Sequence, residues 1–272
     1  MTFRVLPLKF DFIAQGRIVF PEGKAGNVLR GALGMILPQV APHHAHLFAP
    51  SGSHGPSGLA DWPRPFVIRA APLDGRRLEP GEEFSIGVNV FDLNFPAAAC
   101  FAETFARIGQ EGIGPGRGQA SLRHSGGVPV AIDLAAPLPA HRLRVNFETP
   151  TELKAGGEVI RQPVFQILFS RIRDRLSTLR KLYQDGPLPI AFREMAARAA
   201  LVHLSLHQLK WETAERFSTR TRQTHPLGGM TGWAEYQGEL SEFVPYLDAA
   251  AWTGVGRQTV WGKGVIRPQL LE

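Results

Sequence analysis

The chain has 272 residues, 44% hydrophobic and 20% charged, so it is long enough for two domains with real cores and too apolar for a disordered polyelectrolyte. Its net charge of +6 and isoelectric point near 9.9 point to a polyanion or an acidic surface as partner, with plain solubility as the other reading. One cysteine, Cys100, excludes an intrachain disulfide and a cysteine zinc cluster, and it fits a reducing compartment.

The first residues lack the apolar segment of a signal peptide, and no run of about 18 apolar residues occurs, so a cytoplasmic protein with no membrane partner is expected. A strand is predicted over Phe3–Ile13, with Val5, Leu8, Phe10 and Phe12 apolar. A helix follows near Asn27–Leu37, where Val28, Leu29, Ala32, Leu33, Ile36 and Leu37 form one face. Gly31 and Gly34 weaken it, which implies close packing or close approach of a partner, and Pro38 is expected to stop it. Ala41–Pro63 reads as irregular, with His43, His44 and His46 at its start. Strands near Arg64–Ala71 and Glu83–Phe91 and a helix over Ala97–Ile108 lead to Gly112-Ile113-Gly114-Pro115-Gly116-Arg117-Gly118 and another strand. This β-α-β-β-α-β order is the ferredoxin-like pattern.

Pro137-Leu138-Pro139 reads as a linker between residues 1–136 and 141–272. Beyond it, Arg142–Glu148 alternates as a strand, with Leu143, Val145 and Phe147 on one face. A long helix is predicted over Val164–Tyr183, burying Leu168, Ile172, Leu176 and Leu179 and exposing Arg171, Arg175 and Arg180. A second helical stretch covers Ile190–Ala200. Strands are expected over Val202–Trp211, Glu215–Arg222 and Gly232–Glu239, with His203 and His207 as structural residues of the first. A helix over Glu242–Ala250 precedes Gly254 to Gly264 and a closing strand.

Both halves thus end on an amphipathic helix, a Gly-Ile/Val-Gly turn, an arginine and a strand, and Gly112 and Gly254 stand 142 residues apart. The spacing implies an internal duplication, an α+β chain of two tandem ferredoxin-like (RRM-like) domains. The glycine segments fit neither familiar nucleotide motif. A dinucleotide fingerprint needs a strand before and a helix after, and here that order is reversed. A P-loop needs four residues between its glycines and a Ser or Thr after the lysine, where this chain has five and Gly264. What remains is a loop whose backbone N–H groups can approach phosphate, with Arg257 and Lys263 adding charge. A tight turn requiring positive φ accounts for one or two of these glycines and less well for the whole set.

The segment Gly254-Val255-Gly256-Arg257-Gln258-Thr259-Val260-Trp261-Gly262-Lys263-Gly264 resembles the terminal glycine loop of the CRISPR-associated RAMP proteins. In particular the chain resembles the precursor-crRNA-processing endoribonucleases, the Cas-six family. Leu29-Arg30-Gly31-Ala32-Leu33-Gly34 is similar to the family's first helix. His46-Leu47-Phe48-Ala49-Pro50 and Trp62-Pro63-Arg64-Pro65-Phe66-Val67 are similar to the segment leading on from it. Gly112–Gly118, Pro150-Thr151-Glu152-Leu153 and the stretch from Arg216 to Gly232 also agree, in order. Relatives often carry cysteines after the first helix; this chain has none there, so a zinc-stabilised loop is not expected.

The resemblance implies metal-independent cleavage of CRISPR repeat RNA, without a cofactor, in which the 2′-OH attacks the adjacent phosphate to leave a 2′,3′-cyclic phosphate and a 5′-OH. Such chemistry needs a base, an acid and positive charge at the phosphorane-like transition state. Histidine suits the first two roles. The family's catalytic histidine lies near the first helix, which singles out His46, then His43, with His44 beside them; Lys24 and Arg30 are candidate phosphate stabilisers. Arg117, Arg216, Arg220, Arg222, Gly254, Gly256, Arg257, Gly262, Lys263 and Gly264 are the expected RNA contacts, and Trp261 a candidate stacking partner for a base. Precursor crRNA is the implied partner, together with other Cas proteins of an effector complex. A RAMP subunit that grips crRNA without cutting it is the alternative. A metal-dependent hydrolase is disfavoured, because no Asp or Glu lies between Glu22 and Asp61 to complete a common site.

Overall fold

The computed structural model describes residues 1–48, 62–213, 215–218, 223–226 and 228–272. The first half comprises β1 (Thr2–Ala14), β2 (Ile18–Val19), α1 (Ala25–Val40), a 3₁₀ turn (Pro42–Leu47), β3 (Phe66–Arg69), β4 (Arg77–Leu78), β5 (Glu83–Val90), α2 (Ala97–Glu111), β6 (Ala120–Gly126) and β7 (Val130–Asp133). The second comprises β8 (Arg142–Thr151), β9 (Leu153–Ala155), β10 (Glu158–Ile160), α3 (Phe165–Tyr183), α4 (Phe192–Ala199), β11 (His203–Glu212), β12 (Glu215–Ser218), β13 (Gln223–Pro226), β14 (Gly229–Gln237), α5 (Val244–Thr253) and β15 (Ile266–Leu270).

The principal sheets have the orders β3-β5-β1-β6 and β11-β14-β8-β15, every neighbour antiparallel. Counted along each half, both read second, third, first, fourth. The same permutation twice is the duplication that the repeated ending implied, and each half is a ferredoxin-like unit. By contact, one unit comprises Arg4–Val130 with Val260–Gly262, and the other Met1–Phe3, Ala131–Thr259 and Lys263–Glu272.

Alternation builds each core. In β1, Leu8, Phe10, Phe12 and Ala14 are buried, and Phe10 meets Phe105 of α2 at 4.5 Å between ring centroids. In β8, Leu143, Val145 and Phe147 are buried while Arg142, Arg144 and Asn146 take the other face. Phe165 and Phe169 of α3 pack edge-on against Phe243, and Phe165 likewise against Tyr236. The Tyr236 hydroxyl donates to the Pro163 carbonyl at 2.7 Å, so its polar end is satisfied, and burial pushes the phenol well above its ordinary range.

Several expectations need correction. α1 continues past Pro38 to Val40. Pro38 lies in the last turn on an exposed side, so the carbonyl its ring displaces is not sealed from water. Of the three α3 arginines expected to be exposed, only Arg171 is. Arg180 is buried and donates to the carbonyls of Gly186 and Thr2, because the chain after α3 folds back over it. Arg175 donates to the Thr253 carbonyl at the end of α5, and burial holds its guanidinium down at about 10. His203 and His207 are exposed, since β11 is an edge strand rather than an interior one. The strand expected over Glu215–Arg222 is described only as β12, paired with β13; Arg220 and Arg222 lie outside the described residues.

Candidate active site

The histidine segment is a short turn tied to the end of α1. Pro42 begins it, with a φ already suited to a helical turn. The His44 N–H donates to the Ala41 carbonyl and the Phe48 N–H to that of Ala45, while buried Leu47 anchors the turn. His43 is exposed. His44 is half-buried, its ring 5.1 Å from that of Phe95. His46 lies on the same turn, with its side chain outside the described residues.

Just past the turn, the Phe48 ring folds back onto α1 at Gly34, where a Cβ would sit 2.7 Å from the ring. Gly34 is therefore a packing glycine. One turn earlier, the Arg30 guanidinium carbon lies 4.8 Å from the Phe48 ring centre and 5.0 Å from that of Trp261. A planar cation between two aromatic rings gains about 0.5–2 kcal/mol per ring according to how dry it is. Trp261 belongs to the same unit as α1, and its carbonyl lies against Gly26, where any Cβ would collide with it. Arg30 thus joins two segments distant in sequence, the histidine turn and the tip of the terminal glycine loop. Arg64, expected as the first residue of a strand and not as a site residue, sets a second cation here. Its Nε donates to the Phe48 carbonyl at 2.6 Å and its guanidinium lies 5.5 Å from the Phe48 ring.

Lys24 is exposed and stands at the opposite end of α1, whose 16 residues extend about 24 Å at ~1.5 Å each. The structure does not bring it beside the histidine turn. Asp74 already caps that helix end, accepting from the Ala25 N–H at 2.7 Å.

The rest of the terminal loop is pinned in the other unit. The Val255 N–H donates to the Gly264 carbonyl, the Gly264 N–H to that of Pro150 and the Arg257 N–H to that of Glu152. Arg257 also pairs with the buried Glu152 carboxylate at 2.7 Å while remaining half-exposed. Gly254, Gly256, Gly262 and Gly264 all have positive φ. Side chains at Gly256 and Gly264 would run into the carbonyls of Glu152 and Val255. A turn requirement therefore accounts for these four glycines of the terminal loop, where it had been expected to account for one or two across both glycine loops. Lys263 is 6% exposed, so the expected phosphate contact lies inside the protein.

The first glycine loop closes in the same way on a smaller scale, with Ile113 bridged to Gly118. Arg117, at φ 49°, donates through Nε and Nη2 to the Glu111 carbonyl at the end of α2, and its side chain is 71% exposed. Arg216 lies on β12, with its side chain outside the described residues. The open face of the second sheet carries a further cation that no motif marks. There Arg144 lies 4.2 Å from the Trp233 ring and donates twice to Glu235. The signal was present, because residues alternating with Leu143 and Val145 must face away from them. Among the described residues, no group of three or more His, Cys, Asp or Glu is placed to hold a metal ion. Among them, too, no helix is long and apolar enough to cross a membrane.

Residues 145–266 match the family model of the CRISPR-associated endoribonuclease Cas6, and residues 3–129 match a model described as an N-terminal domain. No curated protein matches the sequence. Among solved structures, the chain is similar to a Cas6 product complex at 18% identity and a TM-score of 0.64, over 97% of this chain and 99% of that one. It is similar to Thermus thermophilus Cas6 at 14% identity and a TM-score of 0.63, over 99% of both. It is also similar to a RAMP protein binding different RNA substrates, at 10% identity and a TM-score of 0.53, over 98% of this chain and 100% of that one. Identities this low establish the fold.

Proposed function

We propose that the chain is a Cas6-type endoribonuclease, a reading supported by the match over residues 145–266 and by a fold shared with Cas6 structures over nearly all of the chain, and that it cleaves CRISPR repeat RNA in precursor transcripts to release crRNAs. The observation that supports this reading is the clasp of Arg30 of α1 between Phe48, the residue after the histidine turn, and Trp261 at the tip of the glycine loop. The chemistry is transesterification. A histidine of the turn, His46 or His43 before His44, takes the proton from the ribose 2′-OH. The 2′-oxygen bonds to phosphorus, the P–O5′ bond breaks, and a second proton donor protonates the leaving 5′-oxygen. The products are a 2′,3′-cyclic phosphate and a 5′-OH. Arg30 and Arg64 supply the positive charge for the pentacoordinate state, and no metal ion is required. Arg117, Arg257 and, as the sequence suggested, Arg216, Arg220 and Arg222 hold the RNA backbone; Lys24, at the far end of α1, holds a phosphate remote from the cut. The enzyme works in the cytoplasm and hands its product to other Cas proteins.

The test is incubation of the purified protein with its own genome's repeat RNA in excess EDTA, followed by analysis of the ends. Cleavage with a cyclic phosphate is the expected result. Cleavage abolished by EDTA would replace this mechanism with a metal-dependent one, and tight binding without any cut would make the protein a gripping subunit.

A further inference from the structure

α1 contains three glycines, and the structure accounts for two of them. A side chain at Gly26 would strike the Trp261 carbonyl and one at Gly34 the Phe48 ring, whereas one at Gly31 would meet nothing within 4 Å. Gly31 is exposed in the middle of the helix, where glycine is the least favourable residue after proline. Nothing in the fold of this unit requires it. Gly116 in the first glycine loop is the same case. It is exposed, a side chain there would meet nothing within 4 Å, and its φ is not positive.

Gly31 lines one groove, and Gly116 stands in the chain between Pro115 and Arg117, which line its opposite wall. Val28, Gly31 and Met35 of α1 line one wall, and Gly114, Pro115 and Arg117 of the first glycine loop the other, around a volume of about 330 Å³. That is near the lower end of the ~300–1,000 Å³ found for small-ligand sites. Asn27 lies one turn before Gly31 on the same face, and Met35 is 66% exposed one turn after it. The charges at the groove are Glu111 and Arg117. Arg107, 2.8 Å from Glu111, already offsets the carboxylate, so the net charge presented is positive.

We propose that this groove is a subsite for a single-stranded stretch of the RNA substrate, with one unpaired nucleotide seated between Gly31 and Pro115 and an adjoining phosphate on Arg117. This rests on the reading of the protein as an RNA-cleaving enzyme and extends it to a surface outside the histidine site. The bare backbone at Gly31 admits the ribose and base at van der Waals distance, and Gly116 keeps the loop between Pro115 and Arg117 clear of a side chain. Met35 and Val28 give the base an apolar wall, and Asn27 offers both a donor and an acceptor to its edge. The cationic rim favours RNA over an apolar protein helix as occupant.

The decisive experiment compares wild type with Gly31→Ala, Gly31→Leu and Gly116→Ala for binding and single-turnover cleavage of repeat RNA, with thermal melting alongside. Alanine at either position should leave the melting temperature unchanged or raise it, and should weaken RNA binding by ~10-fold, equivalent to ~1.4 kcal/mol, with leucine at position 31 worse. Repeat RNA carrying 4-thiouridine should cross-link to the peptides bearing Met35 or Pro115. Stable variants that bind RNA as tightly as wild type would overturn the subsite, as would wild-type self-association that Gly31→Leu abolishes. If wild type binds RNA without cutting it and the variants lose binding, the groove stands and the enzymatic reading falls.

Discussion

Arg30 is the residue on which the site turns. In the sequence it is one arginine on a helix, and a solvated surface charge is the ordinary fate of such a residue. Its two aromatic partners sit in a turn beyond the helix and in a loop near the end of the chain, so no local pattern announces them. Replacing Arg30 by alanine removes both the clasp and the cation, and single-turnover cleavage should fall ~100- to 1,000-fold, the usual effect of losing one transition-state donor. Arg30→Lys should recover only part, because an ammonium lacks the planar face that both rings contact. Repeat-RNA affinity measured beside the rate would separate a loss of chemistry from a loss of grip.

Asp248 on α5 gives a second prediction at this scale. Burial raises its carboxyl above the ordinary value. A carboxyl with a higher pKa folded than unfolded favours its neutral form in the fold. Stability is therefore lost as pH rises from about 4 through the raised value. Asp248→Asn should raise the melting temperature at pH 7 and leave it nearly unchanged at pH 3, as differential scanning calorimetry would report. Equal shifts at both pH values would assign the effect to packing instead.

At the scale of elements, the terminal loop is a strut fastened at both of its ends. Glu152 holds Arg257 by its side chain and its carbonyl, and Gly256 lies too close to that carbonyl for any side chain. Gly256→Ala should destabilise the protein by ~1–3 kcal/mol through strain at positive φ and the close approach. Glu152→Gln keeps the shape and removes the ion pair, so it should cost less stability and mainly weaken RNA binding through a mobile Arg257. Urea denaturation of the two variants would order them. The sequence showed that this loop was special and left open why. Its glycines satisfy the chain's own backbone first, and that accounting needs the carbonyls of Pro150 and Glu152, which lie about a hundred positions earlier. Gly31 and Gly34 illustrate the same boundary. Composition could offer only packing or close approach for both, and coordinates divide them, Gly34 to Phe48 and Gly31 to empty space.

At the scale of the whole molecule, duplication was the most legible feature. Both halves repeat helix, glycine turn, arginine and strand, and both sheets have the same permuted order. Periodicity suffices for that, because it depends on which residues are apolar and how they are spaced. Burial of the α3 arginines was not legible, since it depends on which later segments fold over that helix and offer carbonyls. Charge was informative only in aggregate, and it predicts salt dependence. If single-stranded phosphates are held by Arg117, Arg257, Arg216, Arg220 and Arg222, log K should fall with log[salt] at about −0.7 per phosphate. A filter-binding series would show a flat response if shape alone held the RNA.

We propose that histidines of the Pro42–Leu47 turn, which leads into the Phe48 ring against Arg30, perform the cleavage. The most direct test is single-turnover cleavage of repeat RNA, in excess EDTA, by wild type and by a variant with His43, His44 and His46 all changed to alanine. The variant should bind the RNA as tightly as wild type and cleave at least ~100-fold more slowly, the lower limit for one positioned acid or base. Equal rates for the two proteins would contradict it and move the acid and base elsewhere on the molecule.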